Sequence, residues 1–162
     1  VNISELVTNF LQKNKINYIL NQEQDLQNFS VQIPSPTEDR CIKIDVYDCG
    51  YNLHFPIDNI WCFCDHYCST EDYLTFNEVN ELLTFIHQII HEELIGFSVQ
   101  YAGSTYQLFC SPLEVNIQIE KKMMFLKDND LINKEYKFYI SSFKGTYDQY
   151  IQGRMESNDQ KN

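Results

Sequence analysis

From Phe76 to about Leu94 apolar residues recur at helical spacing, at Phe76, Val79, Leu82, Leu83, Ile86, Ile89 and Ile90, with Thr75 and Glu78 standing before them as a T-x-x-E capping box. A box of this kind satisfies amide donors that a helix start leaves open, so both the beginning and the buried face of this helix can be read directly. So wide an apolar stripe has to be covered, and the rest of the chain offers mostly short β-like runs to cover it. These predict strands over Asn17–Leu20, Leu26–Ile33, Cys41–Tyr47, Tyr51–Phe55 and Ile60–Cys68. Pro34-Ser35-Pro36, Asp48-Cys49-Gly50 and Pro56-Ile57-Asp58-Asn59 separate them with turn chemistry, which makes an antiparallel meander.

The flanking segments are read in the same way. Ser4 to Lys15 is a first helix with Ser4 as its N-cap, and Gly96 ends the long helix. Phe97, Val99 and Tyr101, then Tyr106, Leu108 and Cys110, alternate on either side of Ala102-Gly103-Ser104 and predict a hairpin. Leu113, Val115, Ile117 and Ile119 continue the period of two and predict a half-buried strand. Tyr136–Phe143 reads as a strand and Tyr147–Met155 as a short closing helix. The expected fold is one α+β domain over 1–155, followed by a disordered tail over 156–162. In it an antiparallel sheet of about six to eight strands is crossed by one long central helix, through Phe76, Val79, Leu83, Ile86 and Ile90, and by the N-terminal helix.

A chain of 162 residues with 43% hydrophobic residues can bury a core without covalent staples. The opening Val1-Asn2-Ile3-Ser4-Glu5 has no basic region leading into an apolar one, and no stretch approaches the ~20 apolar residues of a membrane span. The six cysteines, Cys41, Cys49, Cys62, Cys64, Cys68 and Cys110, are therefore read as reduced thiols of a soluble cytoplasmic protein.

Charge is distributed by region. Between Ile44 and Glu120 there is no Lys or Arg, whereas twelve carboxylates fall there: Asp45, Asp48, Asp58, Asp65, Glu71, Asp72, Glu78, Glu81, Glu92, Glu93, Glu114 and Glu120. Such a field repels nucleic acid and anionic lipid and attracts basic protein surfaces.

The candidate chemistry is thin. Cys62, Cys64, His66 and Cys68 are zinc-type ligands at intervals of two, but a strand would string them over about 20 Å, far more than one tetrahedral metal spans, so they read as thiols of the sheet. His87 and His91 stand four apart on the long helix, with Gln88 where H-E-x-x-H has its glutamate, and read as its solvated shoulder. The five glycines stand singly, which excludes a phosphate loop and a dinucleotide fingerprint. With no nucleophile elbow either, the expectation is a binding protein without cofactor or metal rather than an enzyme. The segment from Tyr51 to Tyr73 interleaves aromatic and acidic residues. Trp61 and Phe63 are read as core, while Asp58, Asp65, Glu71 and Asp72, with Tyr67 and Tyr73 as aromatic anchors, are the candidate partner-binding residues.

A small, acidic, leaderless α+β chain with a basic-free middle resembles the immunity proteins of bacterial toxin systems, including contact-dependent growth inhibition. The resemblance implies a cytoplasmic inhibitor that covers the active site or substrate surface of a cognate basic toxin domain, commonly a nuclease. It rests on whole-chain character and carries no residue over. The order helix, strands, helix, strands, helix is also similar to type III secretion chaperones, which wrap an effector segment. The high aromatic content and the excess of early strands fit that family less well. A small hydrolase or metal protein using the cysteine and histidine groups stands third.

Overall fold

The structure is a computed structural model that describes residues 3–22, 28–37, 40–47, 49–57, 61–70, 73–129, 131 and 134–155, with the side chains of 22, 56, 57 and 61–66 left out. The chain is α+β and divides into two compact units, Val1–His91 and Glu92–Asn162. The expected single sheet is corrected to two antiparallel sheets, of five and four strands. The expected tail, 156–162, lies outside the described residues.

In the first unit α1 (Ile3–Lys13) is followed by β1 (Ile19–Gln22), β2 (Phe29–Pro34), β3 (Cys41–Tyr47), β4 (Gly50–Ile57) and β5 (Trp61–Cys68), and α2 (Phe76–Ile90) closes it. The strands pair in sequence order, which is the meander the turns imply. Period two does the sorting. Phe29, Val31 and Ile33 on β2, Ile42, Ile44 and Val46 on β3, and Tyr51, Leu53 and Phe55 on β4 are all buried, and cross-strand register puts them on one face. The helices bury Val7 and Leu11 from α1 and Val79, Leu82, Leu83, Ile86, Ile89 and Ile90 from α2, and they pack on each other.

Three expectations about these helices fail locally. Ser4 is a buried residue inside α1, where its carbonyl accepts from the Thr8 hydroxyl at 2.9 Å, and is not the N-cap. Phe76 is 53% exposed, because the first residue of a helix lies beyond the surface that the later turns bury. Gly96 does not end α2. The helix stops at the His91 C-cap, followed by Glu92 in the left-handed region at φ 58°.

The second unit pairs β6 (Ile95–Tyr101) with β7 (Ser104–Cys110) through a hairpin whose two turn residues, Ala102 and Gly103, both have positive φ, at 47° and 80°. That is the two-residue turn whose twist suits a hairpin. The strand expected over 113–120 is corrected to helix: Pro112–Glu114 forms a 3-10 turn leading into α3 (Val115–Asp128). Ser111 caps the start, its hydroxyl accepting from Leu113 N–H at 3.3 Å while Glu114 Oε2 accepts from Ser111 N–H at 3.2 Å. Val115 is buried, with Ile119 and Met123 packed on the same cluster as Phe97, Val99, Phe138 and Ile140, at helical spacing. Leu113 and Ile117, the other half of the apparent alternation, are 90% and 49% exposed.

After α3 come β8 (Glu135–Ser141) and β9 (Gln149–Arg154), which give the sheet order β7-β6-β8-β9. The closing helix expected over 147–155 is thus corrected to a strand. Phe138 faces Ile151 and Tyr139 faces Tyr150 across the ladder, and the latter rings lie 4.9 Å apart. Aromatic and β-branched residues favour such cross-strand pairs over a short helix containing Gly153.

The connection between β8 and β9 is anchored from a distance. Buried Glu92 accepts from Lys144 N–H at 2.7 Å and Thr146 N–H at 3.4 Å, while Ser142 N–H is taken by Asp148 Oδ1 at 2.9 Å. Burial pushes the Glu92 carboxyl up, but the hydrogen bonds from Thr146, Ser142 and Lys144 outweigh it and hold it below the ordinary value. This bonding accounts for an L-residue other than glycine being kept at positive φ.

Two predictions follow from the packing. Ile86→Asp, at a fully buried site, should cost several kcal/mol, whereas Leu113→Asp, at 90% exposure, should stay within about 0.5 kcal/mol; urea unfolding of both variants checks this. Glu92→Gly would relieve the positive φ yet lose the loop bonds, so a net loss of about 1–3 kcal/mol is expected. Because the Glu92 carboxyl is depressed in the folded state, its contribution should be complete above the ordinary carboxylate range and fade as pH falls through the folded value. A parent and a Glu92→Gly variant with the same acid profile would disprove the anchor.

Candidate functional site

Of the residues singled out from the sequence, Tyr67 and Tyr73 are described with their side chains, and Tyr67 is bonded to the N-terminal end of α2. Thr75 N–H donates to Glu78 Oε2 at 2.6 Å and Glu78 N–H donates to the Thr75 hydroxyl at 3.3 Å, which is the capping box in full. The other carboxylate oxygen, Oε1, accepts from the Tyr67 hydroxyl at 2.5 Å. Tyr67 comes from β5 and stacks on Tyr51 of β4, with ring centroids 5.4 Å apart and planes 20° from parallel. One carboxylate therefore caps the helix and ties it to the edge strand of the five-stranded sheet.

The two partners shift each other's titration. The hydrogen bond to Glu78 pushes the Tyr67 hydroxyl up to about 12, assisted by burial and by the charges of Glu78, Glu81 and Cys68. The same bond, with those from Thr75 and Ser69, holds the Glu78 carboxyl down to about 2.

Around this hub the surface is aromatic and acidic. Tyr73 is 63% exposed, Phe76 stands out beside it, and Glu81 is exposed on the next turn. Of the residues expected to bind a partner, Tyr67 is half-buried and engaged through its hydroxyl, while Tyr73 is free on the surface. Asp65 occupies β5 in register with Leu53, and its side chain lies outside what is described. Asp58, Glu71 and Asp72 also lie outside the described residues. Phe76 and Glu81, which the sequence does not single out for a partner, are exposed at the same helix start. Phe76 was counted as core by its spacing, although its place at the first helical position could have signalled exposure.

The metal-type ligands are strung along an unbroken strand. Cys62, Cys64, His66 and Cys68 pair in register with Pro56, His54, Asn52 and Gly50 of β4. Among the described residues no three His, Cys, Asp or Glu side chains are grouped to hold a metal ion. His87 lies edge-on to Phe10 of α1 and 4.2 Å from the His91 ring, on the shoulder of α2. Asp45 is paired with Lys43 at 3.0 Å and lies 3.5 Å from His54 Nε2, on the polar face of the sheet. No described helix is long and apolar enough to cross a membrane.

No protein family, curated protein or solved structure is matched by this chain.

The hub makes a pH signature. Glu78 is depressed from 4.5 to about 2, so its contribution should be present above pH 4.5 and lost as pH falls toward 2. Tyr67 is raised from 10.0 to about 12, so its contribution should be present below pH 10 and lost as pH rises through 12. Tyr67→Phe should lower the melting temperature, weaken the acid dependence and remove this alkaline component. Unfolding curves collected across pH decide it, and an unchanged profile would mean that the bond does not form.

Proposed function

We propose that this chain is an immunity-type inhibitor that binds a basic toxin domain, a nuclease being the best fit, and blocks its active site or substrate surface. The observation that carries the reading is the partition of charge between the two compact units. Residues 1–91 hold thirteen carboxylates against four Lys and Arg, and residues 92–162 hold ten against eight. Carboxylates are equally dense in the two units, so the first unit's negative excess comes from its shortage of Lys and Arg, which leaves most of its carboxylates without neighbouring cations and open to a basic surface that would otherwise meet a phosphate backbone.

Internal uses narrow the choice. Glu78 is committed to the cap and to Tyr67, Asp45 to Lys43, and Glu92 to the loop beyond β8. The binding carboxylates on this reading are Asp58, Asp65, Glu71 and Asp72, joined by Glu81. Tyr73 and Phe76 serve as aromatic anchors, and Tyr67 fixes the strand behind them. Exposed rings beside carboxylates combine an apolar contact with electrostatic steering.

Co-expression with the product of the adjacent gene tests the proposal. The toxin should arrest growth when expressed alone, the pair should co-purify, and added salt should slow their association. Charge reversal at Asp58, Asp65, Glu71, Asp72 and Glu81 should weaken binding, by about 2–5 kcal/mol at any carboxylate that is fully desolvated, while reversal of Glu93 and Glu120 in the other unit should leave it unchanged. A harmless neighbour, or binding indifferent to all five reversals, would refute this reading.

A further inference from the structure

We propose that Cys49 and Cys68 are the two halves of a reversible disulfide, closed by exchange with a low-molecular-weight disulfide of the glutathione type and opened by a dithiol reductant. The inference holds whatever the partner, since it rests on the local geometry of β3, β4 and β5. Cys49 sits in the tight turn between Tyr47 and Gly50, which face each other across the β3–β4 ladder. Gly50 in turn faces Cys68 at the end of β5, and Ser69 N–H donates to the Cys49 carbonyl at 2.7 Å. Cys49, in the turn one residue outside the ladder, is therefore brought beside Cys68 at the end of β5.

Their sulfurs already face each other. The Cys68 thiol points at Cys49 Sγ across 4.0 Å, against the ~2.05 Å of an S–S bond, so the two sulfurs must draw together for the bond to close. The backbone around them has little freedom to drift apart. A Cβ on Gly50 would stand 2.3 Å from the Tyr67 carbonyl oxygen, which shows how closely the turn is pressed against the end of β5. Access favours this pair over Cys110. Cys68 is exposed and Cys49 half-buried, whereas Cys110 is buried.

The exchange balances in two steps. One cysteine thiolate attacks the external disulfide, forming a mixed disulfide and expelling one reagent thiolate. The other cysteine, its proton released to solvent, attacks the protein sulfur of that bond and expels the second. Two protein S–H bonds become one S–S bond, while the reagent's S–S bond becomes two thiols. Closure fixes Cys68 between Tyr67 and Ser69, both of which bond Glu78, and so ties the Cys49 turn to the end of β5 that holds the start of α2.

The test uses the full chain, equilibrated with glutathione and glutathione disulfide at graded ratios, alkylated at its free thiols and mapped by peptide mass. The expected product is a Cys49–Cys68 bridge, two hydrogens lighter than the dithiol, reversed by dithiothreitol and melting at higher temperature. Cys49→Ser and Cys68→Ser should each retain one glutathione on the remaining cysteine, which the parent releases. The proposal is overturned if both cysteines stay alkylatable at the most oxidising ratio, if each carries its own glutathione in the parent, or if the bridge formed runs to Cys62 or Cys64 instead.

Discussion

The carboxylate of Glu78 accepts at both oxygens, from the Thr75 amide on one side and the Tyr67 hydroxyl on the other. A capping box ordinarily closes only its own helix. Here the closing residue also reaches a strand eleven positions earlier in the chain, and Tyr67 is steadied in turn by its stack on Tyr51. The start of α2 is therefore fixed against β5 by hydrogen bonding as well as by burial. Phe76, the first residue of α2, is placed by that junction.

The legible parts of the fold are those where local chemistry and tertiary demand agree. Cys41–Tyr47 was read to its limits because alternating apolar residues in a central strand have no other low-energy arrangement. The start of α2 was equally plain from Thr75 and Glu78, and the Ala102-Gly103 hairpin from its turn residues. Leu113–Glu120 misled because period two and period 3.6 coincide over so short a window: Val115 and Ile119 satisfy both. The deciding signal was local, in Ser111-Pro112-Leu113-Glu114, a second capping sequence with proline at the first helical turn. For β9 the local signal of Tyr150, Ile151 and Gly153 is short and easily read as a helix end, and pairing with β8 decides it.

The candidate site was legible as a composition and not as a geometry. Its aromatic and acidic character stands in the sequence, but the division of carboxylates into those used internally and those left for a partner depends on long-range contacts. Glu92 and Lys144 lie 52 positions apart, and nothing near Glu92 foretells that bond. The thiols show the same limit. Cys49 and Cys68 look like members of two separate runs until the ladder makes them neighbours.

The order of strands in the two sheets also bears on how the chain reaches its structure. In the five-stranded sheet every pair joins strands adjacent in sequence, so each hairpin can close on the one before it with a short loop. The four-stranded sheet contains one pairing of another kind, β6 with β8, which spans the whole of β7 and α3. Closing that larger loop costs more chain entropy before any contact rewards it, which makes it the least local of the strand pairings. Residues 115–128 lie inside that loop, so α3, once formed, shortens the stretch of free chain that the β6–β8 pairing has to close.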